Sequence, residues 1–222
     1  DFGDVQLHPA TGAAGDELWI SDGSAAGTHM VKDINPGGQG SSPHSLEIMD
    51  DVLYFSADDG VAGDELWRSD GTAMGTWRVA DILAGEGASG PGEFAAAEGT
   101  LYFLAYTPDA GPELWRSDGT DAGTVPVTDV AVPEISSVSS CIGGRGRVFC
   151  AANDGATGRE LWFSDGTEAG TFLVRDIAPG FAGSNPWPIV IVGGSLLFAA
   201  NDGTGSALWV SDGTEAGTAV LK

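Results

Sequence analysis

A twelve-residue motif occurs five times in this chain at an almost constant interval. Its third copy reads ELWRSDGTDAGT and covers residues 113–124. The motif tryptophans are Trp19, Trp67, Trp115, Trp162 and Trp209, which are 48, 48, 47 and 47 residues apart. A period of this length predicts a repeat array in which each repeat is one supersecondary unit that buries its apolar surface against its neighbours. We therefore expect the tryptophans to pack between units, the alternative being five ligand contacts.

Four extended segments can be identified within one repeat, at 43–49, 52–57, 65–69 and 76–82 in the second copy. Only two residues separate the first two segments, as in a tight hairpin, and a longer Gly/Pro/Ser linker follows the fourth. Runs such as LYFSA and ELW are apolar at consecutive positions, which indicates strands that are covered on both faces. A four-stranded antiparallel unit of this length is typical of a β-propeller blade.

The expected fold is an all-β, single-domain, five-bladed β-propeller over residues 1–222. Its repeat units are approximately 1–40, 41–88, 89–135, 136–183 and 184–222. Aligned on the motif, the chain begins at the second strand of its first unit, so the first blade should lack its first strand. An open blade predicts a longer native polypeptide, self-association, or completion by strand addition.

The motif copies and the flanking segments LYFSADDG and VRDIAPG resemble the bacterial proteins named for their ELWxxDGT repeat. Two copies depart from the pattern, with Ser24 in place of threonine and Ala207 in place of glutamate. The resemblance implies a secreted or surface-anchored repeat protein, so we expect a secreted or cell-surface location.

Composition excludes several classes of function. The chain has 32 acidic residues against 9 basic ones, a formal net charge of -23, which is unsuited to binding nucleic acid because phosphate neutralisation needs clustered Lys and Arg. No apolar run reaches eighteen residues, so no membrane-spanning helix is expected. The 35 glycines and 11 prolines interrupt every stretch that could sustain a helical apolar period.

An Asp-Gly pair ends the tryptophan segment in every copy. The aspartates are Asp22, Asp70, Asp118, Asp165 and Asp212. Asp followed by Gly favours a turn, because the carboxylate accepts backbone N–H groups and glycine tolerates positive φ. The alternative is calcium, the metal for which a loop of carboxylates is suited. Its best candidate is the preceding loop of the second copy, with Asp58, Asp59 and Asp64.

Cys141 and Cys150 flank a hairpin whose two turn residues are Arg145 and Gly146. Counting outward from this turn places the two cysteines opposite each other, at a separation that permits a cross-strand disulfide. The alternative is a pair of buried thiols that pack as small apolar residues.

No GxSxG or HExxH motif indicates an enzyme. The candidate ligand contacts are rings that break the repeat, Trp187, Trp77, His44 and Tyr106, since exposed rings can stack on sugars. The alternative is local packing. We expect a non-enzymatic extracellular or cell-surface binding or adhesion propeller, for which carbohydrate or a surface protein is the candidate ligand. A structural segment of a larger surface or fibre-forming protein is the alternative, and a hydrolase is the third hypothesis.

Overall fold

The structure, a computed structural model, describes residues 5–109, 111–127 and 138–221. Every regular element within these ranges is a β-strand, and the strands form five separate antiparallel sheets. The all-β expectation is thereby confirmed for the described residues. This part of the chain contains no helix long and apolar enough to cross a membrane.

We number the sheets 1 to 5 in chain order, and each lies within one predicted repeat unit. Sheet 1 has three strands, β1 (Gln6–Gly12), β2 (Gly15–Ser21) and β3 (His29–Lys32). Sheet 2 comprises β4 (His44–Met49), β5 (Val52–Asp58), β6 (Asp64–Ser69) and β7 (Trp77–Ala80). Sheet 3 comprises β8 (Gly92–Ala97), β9 (Thr100–Thr107), β10 (Gly111–Ser117) and β11 (Val125–Pro126).

Sheets 4 and 5 repeat the same order. Sheet 4 comprises β12 (Ser139–Gly144), β13 (Arg147–Asn153), β14 (Arg159–Ser164) and β15 (Phe172–Arg175). Sheet 5 comprises β16 (Trp187–Val192), β17 (Ser195–Asn201), β18 (Ser206–Ser211) and β19 (Ala219–Val220). Within every sheet the strands pair in chain order, as the short connections predict.

A two-residue turn joins the first two strands of each four-stranded sheet. Both turn residues have positive φ in all four cases, for example 56° at Arg145 and 69° at Gly146. This is the type I′ geometry that matches the right-handed twist of two paired strands. The hairpin prediction is confirmed.

Consecutive sheets pack face to face, and we call the face turned toward the preceding sheet the leading face and the opposite one the trailing face. Four apolar clusters lie between consecutive pairs of sheets. Between sheets 2 and 3, for instance, Tyr54 and Leu66 of one trailing face meet Leu101 and Phe103 of the next leading face. Strands β4, β8, β12 and β16 contact one another in chain order. Inner sheets are therefore covered on both sides, which explains why their strands are continuously apolar.

The disulfide between Cys141 and Cys150 is present, with a Cα–Cα distance of 4.2 Å. The predicted register holds from the turn out to the pair of Ile142 with Phe149. Beyond it a β-bulge intervenes, and Ser140 adopts a φ of 54°. The bulge places an extra residue on the first strand, but the cysteines still meet.

Candidate functional site

The DGT turn satisfies its own polar groups. In the third copy Asp118 Oδ1 accepts the Thr120 N–H at 2.9 Å and the Thr120 hydroxyl at 2.6 Å. Thr120 Oγ1 in turn accepts the Gly123 N–H at 3.0 Å. The two hydrogen bonds from Thr120, first the one from its hydroxyl and then the one from its N–H, hold the pKa of the Asp118 carboxyl below its usual range. The same arrangement recurs in the other four copies, including the one with Ser24, which supports the turn interpretation.

Close packing between sheets requires the glycine of the DGT turn. Gly119 has a φ of 85°, and a Cβ at this position would lie 2.2 Å from the hydroxyl of Tyr54 in the preceding sheet. Gly166 lies in the same way against Tyr102, and Gly213 against Phe163. The turn is thus a packing element between neighbouring sheets as well as a connection.

The glutamate of the motif has a role that the sequence interpretation missed. Glu65 is fully buried and accepts hydrogen bonds from the N–H groups of Ile82, Leu83 and Ser89 and from the Ser89 hydroxyl. It therefore holds the linker that leads from sheet 2 to sheet 3. We call this arrangement, a buried motif glutamate that accepts hydrogen bonds from the following linker, the glutamate clamp. Burial raises the pKa of this carboxyl, while the four hydrogen bonds act in the opposite direction.

The glutamate clamp is repeated in other sheets. Glu17 binds Ser41, and Glu160 binds Ser184, each 24 residues further along the chain. That constant Glu-to-Ser spacing was the signal in the sequence that could have revealed the clamp. In sheet 5 the corresponding residue is Ala207, which has no carboxylate.

The motif tryptophans lie on the leading faces. Trp67 is 6% exposed and Trp209 5% exposed, each within the cluster shared with the preceding sheet. The indole Nε1 atoms of all five are buried and have no hydrogen-bond partner among the described residues. This burial supports the packing interpretation.

The calcium candidates do not converge in the structure. Asp59 Oδ1 accepts the N–H groups of Val61 and Ala62, and its Oδ2 pairs with Arg78 at 3.3 Å. Asp58 Oδ1 accepts the N–H of Gly60, two residues further along the chain. Across the described ranges, no group of three His, Cys, Asp or Glu side chains could hold a metal ion.

The third calcium candidate, Asp64, lies between a histidine and a serine and contacts both. His44 Nε2 lies 3.3 Å from Asp64, whose Oδ1 accepts the hydroxyl of Ser56 at 2.7 Å. Burial raises the pKa of the Asp64 carboxyl. The aspartate lies between the other two residues and Ser56 is fully buried, so the histidine does not activate the serine as it would in a hydrolytic triad.

The four predicted ligand contacts are spread over three sheets. Trp187 is 65% exposed at the start of β16, and Tyr106 is 46% exposed on β9. Trp77 is half-exposed on β7 and stacks against the Arg68 guanidinium, which lies 4.6 Å from the ring centroid. His44, at the start of β4, is engaged by Asp64.

Two grooves lie beside the β1–β2 hairpin of sheet 1 and the β5–β6 hairpin of sheet 2. The larger has a volume of about 410 Å³ and is lined by linker residues 35–39, the β5–β6 loop and Glu86 of the following linker. The smaller has a volume of about 270 Å³ and is lined by the β1–β2 hairpin, Asp16 and linker residues 42 and 43. Neither lining contains a lysine or an arginine. We call these the acidic grooves.

The comparison with known proteins shows that this chain is similar to others in its fold alone. No protein-family model and no curated protein matches the chain, so the ELWxxDGT resemblance depends on the motifs quoted above. Among solved structures, the chain resembles TolB from Acinetobacter baumannii, with a TM-score of 0.52 and 11% identity over 97% of this chain and 50% of that one. It thus spans about half the length of that protein.

Two further likenesses are to hydrolases. A puromycin hydrolase mutant complexed with PGG gives a TM-score of 0.57 and 15% identity, over 99% of this chain and 38% of the hydrolase. Prolyl oligopeptidase B from Galerina marginata, bound to a 35mer hydrolysis and macrocyclization substrate, gives a TM-score of 0.57 and 9% identity, over 94% of this chain and 35% of that one. Together with the five packed antiparallel sheets, these likenesses support a protein of the β-propeller class.

The comparisons overturn one expectation. The predicted adhesion and carbohydrate-binding function is wrong, because the likenesses reported above are to TolB, a puromycin hydrolase and a prolyl oligopeptidase, and none of them supports adhesion or carbohydrate binding. The reasoning failed because it was based on isolated rings, which the fold distributes over three sheets instead of assembling.

Proposed function

We propose that the chain is a binding module in which five blades of a β-propeller, the first with three strands, present an acidic edge to a basic segment of a protein partner. The observation that carries this proposal is the pair of acidic grooves. They lie on neighbouring sheets at the same edge, and the linker between sheets 1 and 2 contributes to both linings.

The grooves suit a cationic peptide. Asp58 and Glu86 line the larger groove and Asp16 the smaller, and Gln39 and Asn35, whose Nδ2 donates to Gly40 O, also line the larger. The formal net charge of -23 surrounds them with a negative potential. Such a field steers a basic partner toward the surface and raises its rate of association.

The disulfide supports a location outside the reducing cytoplasm. Disulfides persist in oxidising compartments, and the bridge between Cys141 and Cys150 is cross-strand and within one hairpin. We therefore place the module in a secreted or cell-envelope setting, where it acts by binding.

A titration with a lysine-rich peptide tests the proposal, by calorimetry at about 50 and about 300 mM salt, because screening weakens exposed charge interactions. The variant Asp58→Asn/Glu86→Gln should lower the affinity by about tenfold or more. The β5–β6 turn should persist, since Asn153 and Asn201 occupy the position of Asp58 in later sheets and accept the same N–H bond.

The matched control is Asp121→Asn/Glu168→Gln, which removes two exposed charges from DGT loops. It should leave the affinity nearly unchanged. Equal loss in both variants would show a diffuse charge effect with no site, and absence of binding to the unmodified protein at low salt would refute the proposal.

A further inference from the structure

The chain contains eight Asp-Gly bonds, and all of them lie within the described residues. Five belong to the DGT turns, and three belong to loops between the second and third strands of sheets 2, 4 and 5, after Asp59, Asp154 and Asp202. Asp-Gly is the dipeptide most prone to succinimide formation, because glycine has no side chain that hinders the approach of its nitrogen to the aspartate carboxyl. The eight bonds are therefore eight sites at which the backbone can be modified spontaneously.

The modification begins when the glycine nitrogen attacks Cγ of the preceding aspartate. An N–Cγ bond forms, the nitrogen loses its proton, and one carboxyl oxygen leaves as water, which closes a five-membered succinimide ring. Water then opens the ring at either carbonyl and yields aspartate or isoaspartate, in which the main chain runs through Cβ. Ring closure thus requires a glycine nitrogen that is free to lose its proton, and a carboxyl group that is protonated and free to rotate.

In the five DGT turns the glycine N–H is not free, because it donates to the hydroxyl of the motif serine. The N–H of Gly119 lies 3.0 Å from Ser117 Oγ. The glycines of the other four turns donate in the same way, at 3.0–3.1 Å, to Ser21, Ser69, Ser164 and Ser211. The motif serine therefore has a partner in the bond that succinimide formation would use.

The three loops reach the same result with other residues. The acceptor of the glycine N–H is again the side chain two positions earlier, and the distances to Asp58, Asn153 and Asn201 are 2.7, 2.8 and 2.9 Å. Serine, asparagine and aspartate thus provide one bond in two kinds of loop.

The acceptor accompanies the Asp-Gly bond from loop to loop. The strand pairing places Asp58, Asn153 and Tyr106 at equivalent positions, each one residue beyond the partner of the motif glutamate. Asp58 and Asn153 precede an Asp-Gly bond. Tyr106 precedes Thr107 and Pro108, so no Asp-Gly bond follows it, and this position carries a ring in place of a carboxylate or amide oxygen. The chain provides the acceptor where the labile bond is present.

The aspartate half of each bond is engaged as well. Asp202 Oδ1 accepts the N–H of Thr204 at 2.9 Å and its hydroxyl at 2.6 Å. In all eight cases Oδ1 accepts the N–H of the residue two positions later. The bond from the Thr204 hydroxyl, followed by the one from its N–H, holds the pKa of the Asp202 carboxyl below its usual range. This carboxyl therefore remains ionised at neutral pH, and a carboxylate is a poor electrophile.

We propose that the side chain two residues before each glycine protects the Asp-Gly bond from succinimide formation, so that the motif serine gives the repeat chemical durability as well as a turn. A hydrogen-bonded N–H must leave its acceptor before the nitrogen can attack, and the free energy of that step adds to the barrier of ring closure. The inference goes beyond the proposed function and does not depend on it, because the DGT turns line neither acidic groove.

Variants at Asn201 test the proposal, because this side chain is exposed and its replacement should be compatible with folding. Asn201→Ala removes the acceptor of the Gly203 N–H. Asn201→Asp and Asn201→Ser keep an acceptor oxygen, as Asp58 and Ser117 do before their own glycines. Each folded protein is incubated at neutral pH below its unfolding transition, and peptide mapping by mass spectrometry measures isoaspartate at all eight bonds. Circular dichroism establishes that each variant is folded.

Asn201→Ala should form isoaspartate at Asp202 about threefold to tenfold faster than the unmodified protein. The other seven bonds are internal controls and should keep their rates, and Asn201→Asp and Asn201→Ser should resemble the unmodified protein. Ser117→Ala repeats the test in a DGT turn and should accelerate the reaction at Asp118 alone. In urea the unmodified protein should react faster at every bond.

Three results would overturn the proposal. The first is an unchanged rate at Asp202 in Asn201→Ala. The second is an equal acceleration at all eight bonds, which would show general unfolding, or an Asn201→Ser variant that reacts as fast as Asn201→Ala. The third is a folded unmodified protein that forms isoaspartate as fast as the protein in urea.

Discussion

The hydroxyl of Ser89 donates a 2.6 Å hydrogen bond to Oε2 of Glu65, a residue 24 positions earlier in the chain. Both side chains are buried, and the bond ties the linker after sheet 2 to the third strand of that sheet. The repeat motif therefore encodes the connection between sheets as well as the sheet itself.

Replacement of this glutamate should be costly. Glu65→Ala would leave four donors without an acceptor, the two on Ser89 fully buried and the N–H groups of Ile82 and Leu83 half-buried, so we expect a loss of about 3 kcal/mol or more in the free energy of unfolding, measured with urea. Glu65→Gln keeps an acceptor oxygen and should cost less. Glu168→Ala, which removes an exposed carboxyl from a DGT loop, is the control and should change the stability little, and an equal loss in the two alanine variants would contradict the clamp.

A pair of glycine substitutions isolates the contact between sheets. Gly119 and Gly23 have φ values of 85° and 86°, but only Gly119 lies against a neighbouring sheet. Gly23→Ala should cost about 1–2 kcal/mol from backbone strain. Gly119→Ala should cost roughly 1–3 kcal/mol more because the added methyl group meets Tyr54. Tyr54→Phe in the Gly119→Ala background should recover part of that difference, and equal losses at the two glycines would refute the packing role.

Reduction of the disulfide should expose two thiols and lower stability. The bridge closes a loop of about ten residues, which corresponds to about 2–3 kcal/mol in the chain-entropy description. Thiol titration before and after reduction, with urea unfolding of each form, measures both effects. A Cys141→Ala/Cys150→Ala variant should match the reduced protein. Two free thiols in the protein purified under oxidising conditions would contradict the structure.

Stability should fall at low pH. Hydrogen bonds lower the pKa of seven turn aspartates below 3.8 in the folded state, namely Asp22, Asp70, Asp118, Asp154, Asp165, Asp202 and Asp212. Below their unfolded pKa the unfolded chain binds more protons, so their contribution, present above about pH 3.8, is lost as the pH falls through the folded values.

Three carboxyls, those of the buried Glu65 and the half-buried Glu47 and Asp64, act in the opposite sense. Burial raises the pKa of Glu47, Asp64 and Glu65. Protonation of these three carboxyls therefore favours the folded state, and it occurs at pH values above the range in which the turn aspartates titrate. We expect a stability maximum in mildly acidic solution and a decline below it. Urea titrations across this range measure the profile, and Asp118→Asn should make the low-pH decline shallower. A profile that keeps rising toward low pH would refute the role of the turn aspartates.

Features that depend on residues close together in the sequence could be predicted from the sequence alone. The hairpin turns, the DGT turns and the meeting of Cys141 with Cys150 all depend on residues a few positions apart, since turn geometry and strand alternation determine them. The repeat period extended this local information to the whole array, because each unit must bury the same faces.

The tertiary structure decided what each repeated residue contacts. Leu66 and Leu208 occupy the same place in the motif, yet one is buried and the other exposed, because exposure depends on the sheet that covers a face and not on the residue itself. Glu65 is a clamp only because folding brings Ser89 to it from 24 residues away. The candidate rings failed for the same reason, since convergence into a site is a property of how sheets pack, which no single strand specifies.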